Sequence, residues 1–129
     1  MVIDTSVVVA IVLGEPDADA FRAAMKRDRV WLISVASVLE SAIVLQKRLG
    51  ENGESTLDEF LRPLPIEIRP VDMAQLKWAR TALKRFGRGR HPAKLNFGDC
   101  FAYALAKTTG EPLLFKGGDF AHTDIAAAV

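Results

Sequence analysis

Apolar and polar positions follow one another along this chain in two ways. Four short, mainly apolar runs, Val2-Ile3, Val30 to Ile33, Ile66 to Ile68 and Leu113 to Phe115, are set off by Asp, Ser, Pro or Gly. Runs of this length suit buried strands of a parallel sheet covered on both faces. Between them, apolar residues recur at helical spacing. Asp17 to Arg27 carries Ala20, Phe21 and Ala24 on one stripe, and Val35 to Leu49 carries Leu39, Ala42, Ile43, Gln46 and Leu49 before Gly50. Asp72 to Phe86 places Leu76, Ala79, Leu83 and Phe86 on one face before Gly87, and Phe97 to Thr109 stops at Gly110. Residues 54 to 62 add a shorter helix. Glycine just past a helical pattern is a frequent stop. The alternation predicts an α/β fold: a three-layer α/β/α sandwich with a central, mostly parallel sheet, in one domain over residues 1–129.

That architecture decides where the acids go. In a parallel sheet the C-terminal ends of the strands and the starts of the following helices share one edge, and ligands bind there. Asp4 ends the first strand, Glu40 falls in the second turn of the helix after the second, and Asp119 follows Leu113 to Phe115. The helix over 97–109 must deliver the chain to the strand at 113. It therefore starts at the same edge and brings Asp99 there. Four carboxylates far apart in sequence are expected to converge.

Composition narrows the picture only slightly. A formal net charge of +1 argues neither for nor against nucleic acid, so any such partner must be read from local clusters. The single cysteine, Cys100, excludes an intramolecular disulfide and fits a reducing compartment. Met1 to Leu13 is too short to span a bilayer and has no basic leader, so neither a membrane span nor a signal peptide is expected. The predicted location is the cytoplasm.

Each acid alone has a structural explanation. Asp4 with Thr5 and Ser6 can cap the next helix. Ser37-Val38-Leu39-Glu40 fits a capping box. Asn96 and Asp99 suit a helix start, and Asp119 suits a turn. Together they are harder to explain in that way. Two carboxylates about 5 Å apart repel by roughly 3 kcal/mol at an effective dielectric near 20. Several such pairs would consume much of a domain's ~5–15 kcal/mol of stability unless protons or a cation relieve them. Oxygen ligands without His or Cys select Mg²⁺ or Mn²⁺ over Zn²⁺. Such an ion suits phosphodiester hydrolysis, because it polarises phosphoryl oxygens and neutralises developing charge.

Asp4-Thr5-Ser6, Glu40, Asn96-Phe97-Gly98-Asp99-Cys100, Lys116-Gly117-Gly118-Asp119-Phe120 and Thr123-Asp124-Ile125 together resemble the PIN domain. More narrowly, they resemble the VapC toxins of bacterial type II toxin–antitoxin systems. The resemblance covers essentially the whole chain. It implies a Mg²⁺-dependent endoribonuclease, neutralised by a cognate VapB-type antitoxin and usually a homodimer. By this resemblance Asp4 and Asp99 match the principal metal ligands, and Glu40 and Asp119 complete an acidic quartet. Thr5 or Ser6 would orient metal, water or phosphate through a hydroxyl, and Asp124 matches a more variable acid. Gly118 departs from the many members that carry a polar side chain there, which leaves one fewer group to orient Asp119.

The most basic stretch, Lys84 to Lys94, precedes Asp99. Its loop is expected to carry the chain back to the active edge, and ten extended residues reach at most ~35 Å. Arg88, Arg90 and Lys94 are then candidates to grip RNA phosphates, with a solvated loop as the alternative. His91 and His122 read as surface or turn residues, Cys100 as a small buried apolar group, and Trp31 and Trp78 as core or interface. Lys116 is a candidate to balance the acids or contact phosphate, with a turn lysine that has no function as the alternative. Competing readings are a phosphoacceptor receiver domain, a non-catalytic module that a metal merely stabilises, and a flap-type DNA nuclease. The first needs adjacent acids after its opening strand and an acceptor Asp ending a mid-chain strand, whereas here Asp4 stands alone and the run at 66–68 ends without an acceptor acid. The last needs duplex-binding parts for which a chain of this length has little room.

Overall fold

Four strands, β1 (Val2–Ile3), β2 (Trp31–Ser34), β3 (Ile66–Arg69) and β4 (Leu113–Leu114), form a wholly parallel sheet in the order β3-β2-β1-β4. The computed structural model describes residues 1–89 and 91–129. Six helices connect the strands: α1 (Thr5–Val12), α2 (Ala18–Lys26), α3 (Val35–Leu49), α4 (Asn52–Leu61), α5 (Met73–Phe86) and α6 (Phe97–Thr109). Val2 pairs with Leu32 and Leu113, and Ile3 with Leu114. Side chains alternate across a strand. Val2, Leu32 and Leu113 therefore enter a core with Ala82 and Phe86 of α5 and Tyr103 of α6. Ile3, Ile33 and Leu114 enter the opposite core, with Val7 and Ile11 of α1, Leu45 of α3 and Leu57 of α4. The three-layer sandwich follows. Gly50 and Gly110 end α3 and α6 as expected. Among the described residues no helix is long and apolar enough to cross a membrane.

Three features differ from the pattern reading. Helix α1 carries no amphipathic signal, because Val7 to Ile11 are all buried and no polar face marks a period. The buried faces of α3 and α5 are lined mainly by small and polar residues: Ser37, Ser41, Ala42 and Leu45 on α3, and Gln75, Ala79, Ala82 and Phe86 on α5. Leu39, Ile43, Leu49, Leu76 and Leu83, expected inside, are exposed, and so is Ala20 on α2. Small side chains let neighbouring helices approach closely, so the largest apolar residues are left outside.

The third difference is the basic loop. It does not travel between sheet edges, because α5 already ends beside the start of α6. Leu95 N donates to Phe86 O (2.9 Å) and Arg88 N to Leu95 O (3.0 Å), closing the excursion at its neck. Inside it, Ala93 and Leu95 are buried, and His91 Nδ1 accepts from Ala93 N (3.1 Å). The His91 ring meets Phe86 edge-on at 5.1 Å, so this histidine has a turn role.

Candidate active site

Asp4 is the N-cap of α1. Its Oδ2 accepts from Ser6 N (3.0 Å) and Ser6 Oγ (2.6 Å), and Ser6 Oγ in turn accepts from Lys116 N (2.9 Å). The start of α1 is thereby tied to the chain leaving β4. Asp4 Oδ1 is buried and has no hydrogen-bond partner among the described residues. Burial pushes the Asp4 pKa above the ordinary carboxylate range; the Ser6 hydrogen bonds pull against it, and the Glu40 charge adds to the rise.

Asp99 is built in the same way. Asn96 caps α6 and accepts from Asp99 N (2.9 Å), while Asp99 Oδ2 accepts from Asn96 N (2.9 Å). Among the described residues nothing donates to Asp99 Oδ1. Desolvation lifts the Asp99 pKa to about 7, with further rises from the charges of Asp4, Asp119 and Glu40. Both acids thus serve as caps and as members of a mutually repelling cluster. One oxygen of each is committed to the helix, and the other takes no hydrogen bond from the described residues.

Glu40 is free of the capping duty that its sequence allowed. Ser34, not Ser37, caps α3, accepting from Ala36 N (3.2 Å). Its carboxylate instead lies over the first turn of α6 at Gly98, where any Cβ would overlap Glu40 Oε1 and Oε2. Asp4, Glu40 and Asp99 line one cavity of about 350 Å³ together with Thr5, Ser6 and Asn96. Asp119 is exposed at the end of the β4 turn; its charge reaches Asp99, but its side chain does not line this cavity. A wider depression of about 720 Å³ between Lys77, Arg80 and Lys84 on α5 contains no acid and shares no residue with the site.

The other expected residues are placed more variously. Thr5 lines the cavity, yet its hydroxyl donates to Ser37 O (3.2 Å) and binds α1 to α3. Ser6 acts through Asp4. Asp124 belongs to a different cluster: Oδ1 accepts from the buried Tyr103 hydroxyl (2.9 Å), and Oδ2 from Lys107 Nζ (2.8 Å) and Arg85 (3.3 Å). Desolvation works to raise its pKa, but the bonds from Lys107 and Tyr103 outweigh that and hold it below the ordinary range. Its oxygens fasten α5 and α6 to the C-terminal segment and are not turned to the site. Arg88 and Lys94 are exposed on the compact loop, Lys94 with φ 54° two residues before Asn96; Arg90 lies outside the described residues. Cys100 is buried, as expected. The sequence reading missed Glu15, which also lines the cavity. In Gly14-Glu15-Pro16 it looks like an ordinary turn residue, and nothing in the pattern sets it apart.

The donor set fits a hard divalent ion. Every candidate donor atom is oxygen, one buried carboxylate oxygen lacks a partner among the described residues, and the charges of Asp4, Asp119 and Glu40 help to raise the Asp99 pKa. Among the described residues no three acids are drawn together into a finished chelate. They ring a space instead, as suits an ion that keeps several waters and takes one or two carboxylates directly. Gly98→Ala tests this arrangement. In an ordinary helix the change would stabilise by up to ~1 kcal/mol. Here it should push Glu40 aside and cut catalysis about 10- to 100-fold with an unchanged circular dichroism spectrum, the range typical of groups that orient metal ligands.

Residues 1–126 match the PIN domain family. Ribonuclease VapC30 of Mycobacterium tuberculosis is 52% identical over 126 residues, covering 98% of this chain and 96% of that protein. Ribonuclease VapC of Mycolicibacterium smegmatis is 52% identical over 127 residues, covering 98% of each. Among solved structures, M. tuberculosis VapC20, described as a sarcin–ricin-loop-cleaving toxin, superposes with a TM-score of 0.78 at 16% identity, covering 97% of this chain and 95% of that one. Agreement at half of all positions, across the length of those ribonucleases, makes this chain a member of the PIN-domain family and one of its VapC ribonuclease toxins.

Proposed function

We propose that this toxin is a Mg²⁺-dependent endoribonuclease in which Asp4 and Asp99 hold the ion and Glu40 and Asp119 complete the acidic site. The observation that carries this reading is the buried, unpartnered Oδ1 of Asp4 in a cavity shared with Asp99 and Glu40. Bound there, Mg²⁺ (or Mn²⁺) would supply charge neutralisation at the phosphoryl oxygens and an acidic water. The chain's own residues do the rest. The Ser6 hydroxyl and the Asn96 backbone N–H hold the side chains of Asp4 and Asp99, so that the oxygens not used as caps are presented without rearrangement. Glu40, which lines the cavity, would orient the attacking water and accept its proton, and Asp119 would add negative charge from the β4 turn. Arg88, Arg90 and Lys94 grip the flanking phosphates.

The same reading places the protein in the cytoplasm as a single domain over residues 1–129, with a VapB-type antitoxin as its inhibitor. It also makes the chain a homodimer, joined through apolar residues that α3, α5 and α6 leave outside, among them Leu39, Leu83 and Phe97 at 63%, 56% and 81% exposure. The purified protein should cleave RNA with Mg²⁺ and stop in excess EDTA, and added antitoxin should block it. Undiminished cleavage in EDTA would overturn the reading.

A further inference from the structure

Lys116 is a residue whose role the acidic site leaves open. It lines the acid cavity and is the one cation among the described residues that do so; the other charged walls are Asp4, Glu15, Glu40 and Asp99. An RNA phosphate entering this space meets repulsion from every charged wall but that one. We infer that Lys116 is the phosphate-holding cation of the site, parked between substrates on Glu15 and Asp17. This rests on the ribonuclease reading and adds to it the residue that receives the backbone of the RNA.

Position and magnitude both support it. The Lys116 amide donates to Ser6 Oγ, which donates to Asp4 Oδ2, so its backbone stands two hydrogen bonds from the acid with the unpartnered oxygen. The ammonium bridges Glu15 and Asp17, the latter at 3.1 Å, on the turn between α1 and α2. The side chains of Glu15, Lys116 and Asp17 are 27%, 36% and 37% exposed. Pairs so open to water are weak, so a phosphate can displace the carboxylates at little cost. Lysine suits the task as a mobile point charge on a long stem. A purely structural reading would make the trio a staple between the β4 turn and the α1–α2 turn.

The two readings separate in RNA binding measured against salt. An Asp99→Asn background with Mg²⁺ keeps a short single-stranded RNA uncut. Adding Lys116→Met should weaken binding and lower the slope of log K against log salt by about 0.7, the share of one phosphate contact, while Lys116→Arg restores the slope. The amide bond to Ser6 survives both substitutions. Glu15→Gln should tighten binding both by removing a repelling wall and by releasing Lys116, so the gain should shrink, without vanishing, when Lys116→Met is also present. An unchanged slope in Lys116→Met, or a Glu15→Gln gain of the same size in both backgrounds, would overturn the inference. A wild-type protein that cuts no RNA with Mg²⁺ would instead overturn the ribonuclease reading beneath it.

Discussion

Asparagine at position 4 or position 99 should abolish RNA cleavage and leave the fold in place. The substitution is nearly isosteric. It keeps an oxygen that can accept from the capping partner, Ser6 N for residue 4 and Asn96 N for residue 99, and it removes the negative charge. The helix caps should therefore survive. What goes is the charged oxygen that Asp4 Oδ1 or Asp99 Oδ1 would offer to the ion. Groups that merely orient a metal ligand cost 10- to 100-fold when lost, so loss of a ligand should exceed about 100-fold in kcat/KM. For Asp4→Asn a second result distinguishes a functional acid from a structural one. Its buried Oδ1 has no partner, so the wild-type charge burdens the metal-free fold. Metal-free Asp4→Asn should melt no lower than wild type, and Mg²⁺ should no longer raise its melting temperature. A gel assay of RNA fragments and thermal melts with and without metal measure both effects. Wild-type cleavage by either variant would exclude that residue from the site.

The second large effect is on stability. The folded Asp99 has a pKa of about 7 against 3.8 for the ordinary carboxyl. Below pH 4 the group is protonated in both states. Between about pH 4 and pH 7 the unfolded chain releases this proton while the folded one keeps it. Raising the pH across that window therefore favours unfolding, and the loss levels off above pH 7. Asp4, raised in the same direction, adds to it. Metal-free protein should melt lower at pH 8 than at pH 6, with Asp99 alone contributing roughly 1 kcal/mol to the difference in unfolding free energy. A divalent ion requires the deprotonated acids and binds only the folded site, so its stabilisation should run the opposite way, strong at pH 8 and fading below pH 6. Unfolding curves at three pH values, with EDTA and with Mg²⁺, test the pair of trends. A metal-free stability that rises from pH 6 to pH 8 would contradict the proposed strain among the acids.

The sheet was legible because continuous apolar runs between helical stretches fit few folds other than a covered parallel one, and its four strands fall where those runs are. The faces of the helices were less legible. The bounds of α6 were marked by Asn96 and Gly110. On α3 and α5 the hydrophobic stripe is half right: Ala42, Ala79 and Phe86 are buried, but Leu39, Ile43, Leu76 and Leu83 face solvent while the small Ser37, Ser41 and Ala82 pack inside. Helix α1 was hidden for the opposite reason, being apolar on every side. Chain length alone does not reveal that the basic loop is closed: the hydrogen bond from Leu95 N to Phe86 O brings its two ends together.

The sequence by itself determined the layer order, the strand ends and the order in which Asp4, Glu40, Asp99 and Asp119 follow one another, because periodicity and turn residues act locally. Only the tertiary structure decided that Asp4 keeps an oxygen without a partner, that Gly98 makes room for Glu40, that Asp124 binds Tyr103 and Lys107 instead, and that Glu15 and Lys116 join the site. Those outcomes depend on which groups meet across more than a hundred residues of chain, and on how much water is left between them. Neither spacing nor composition encodes either quantity.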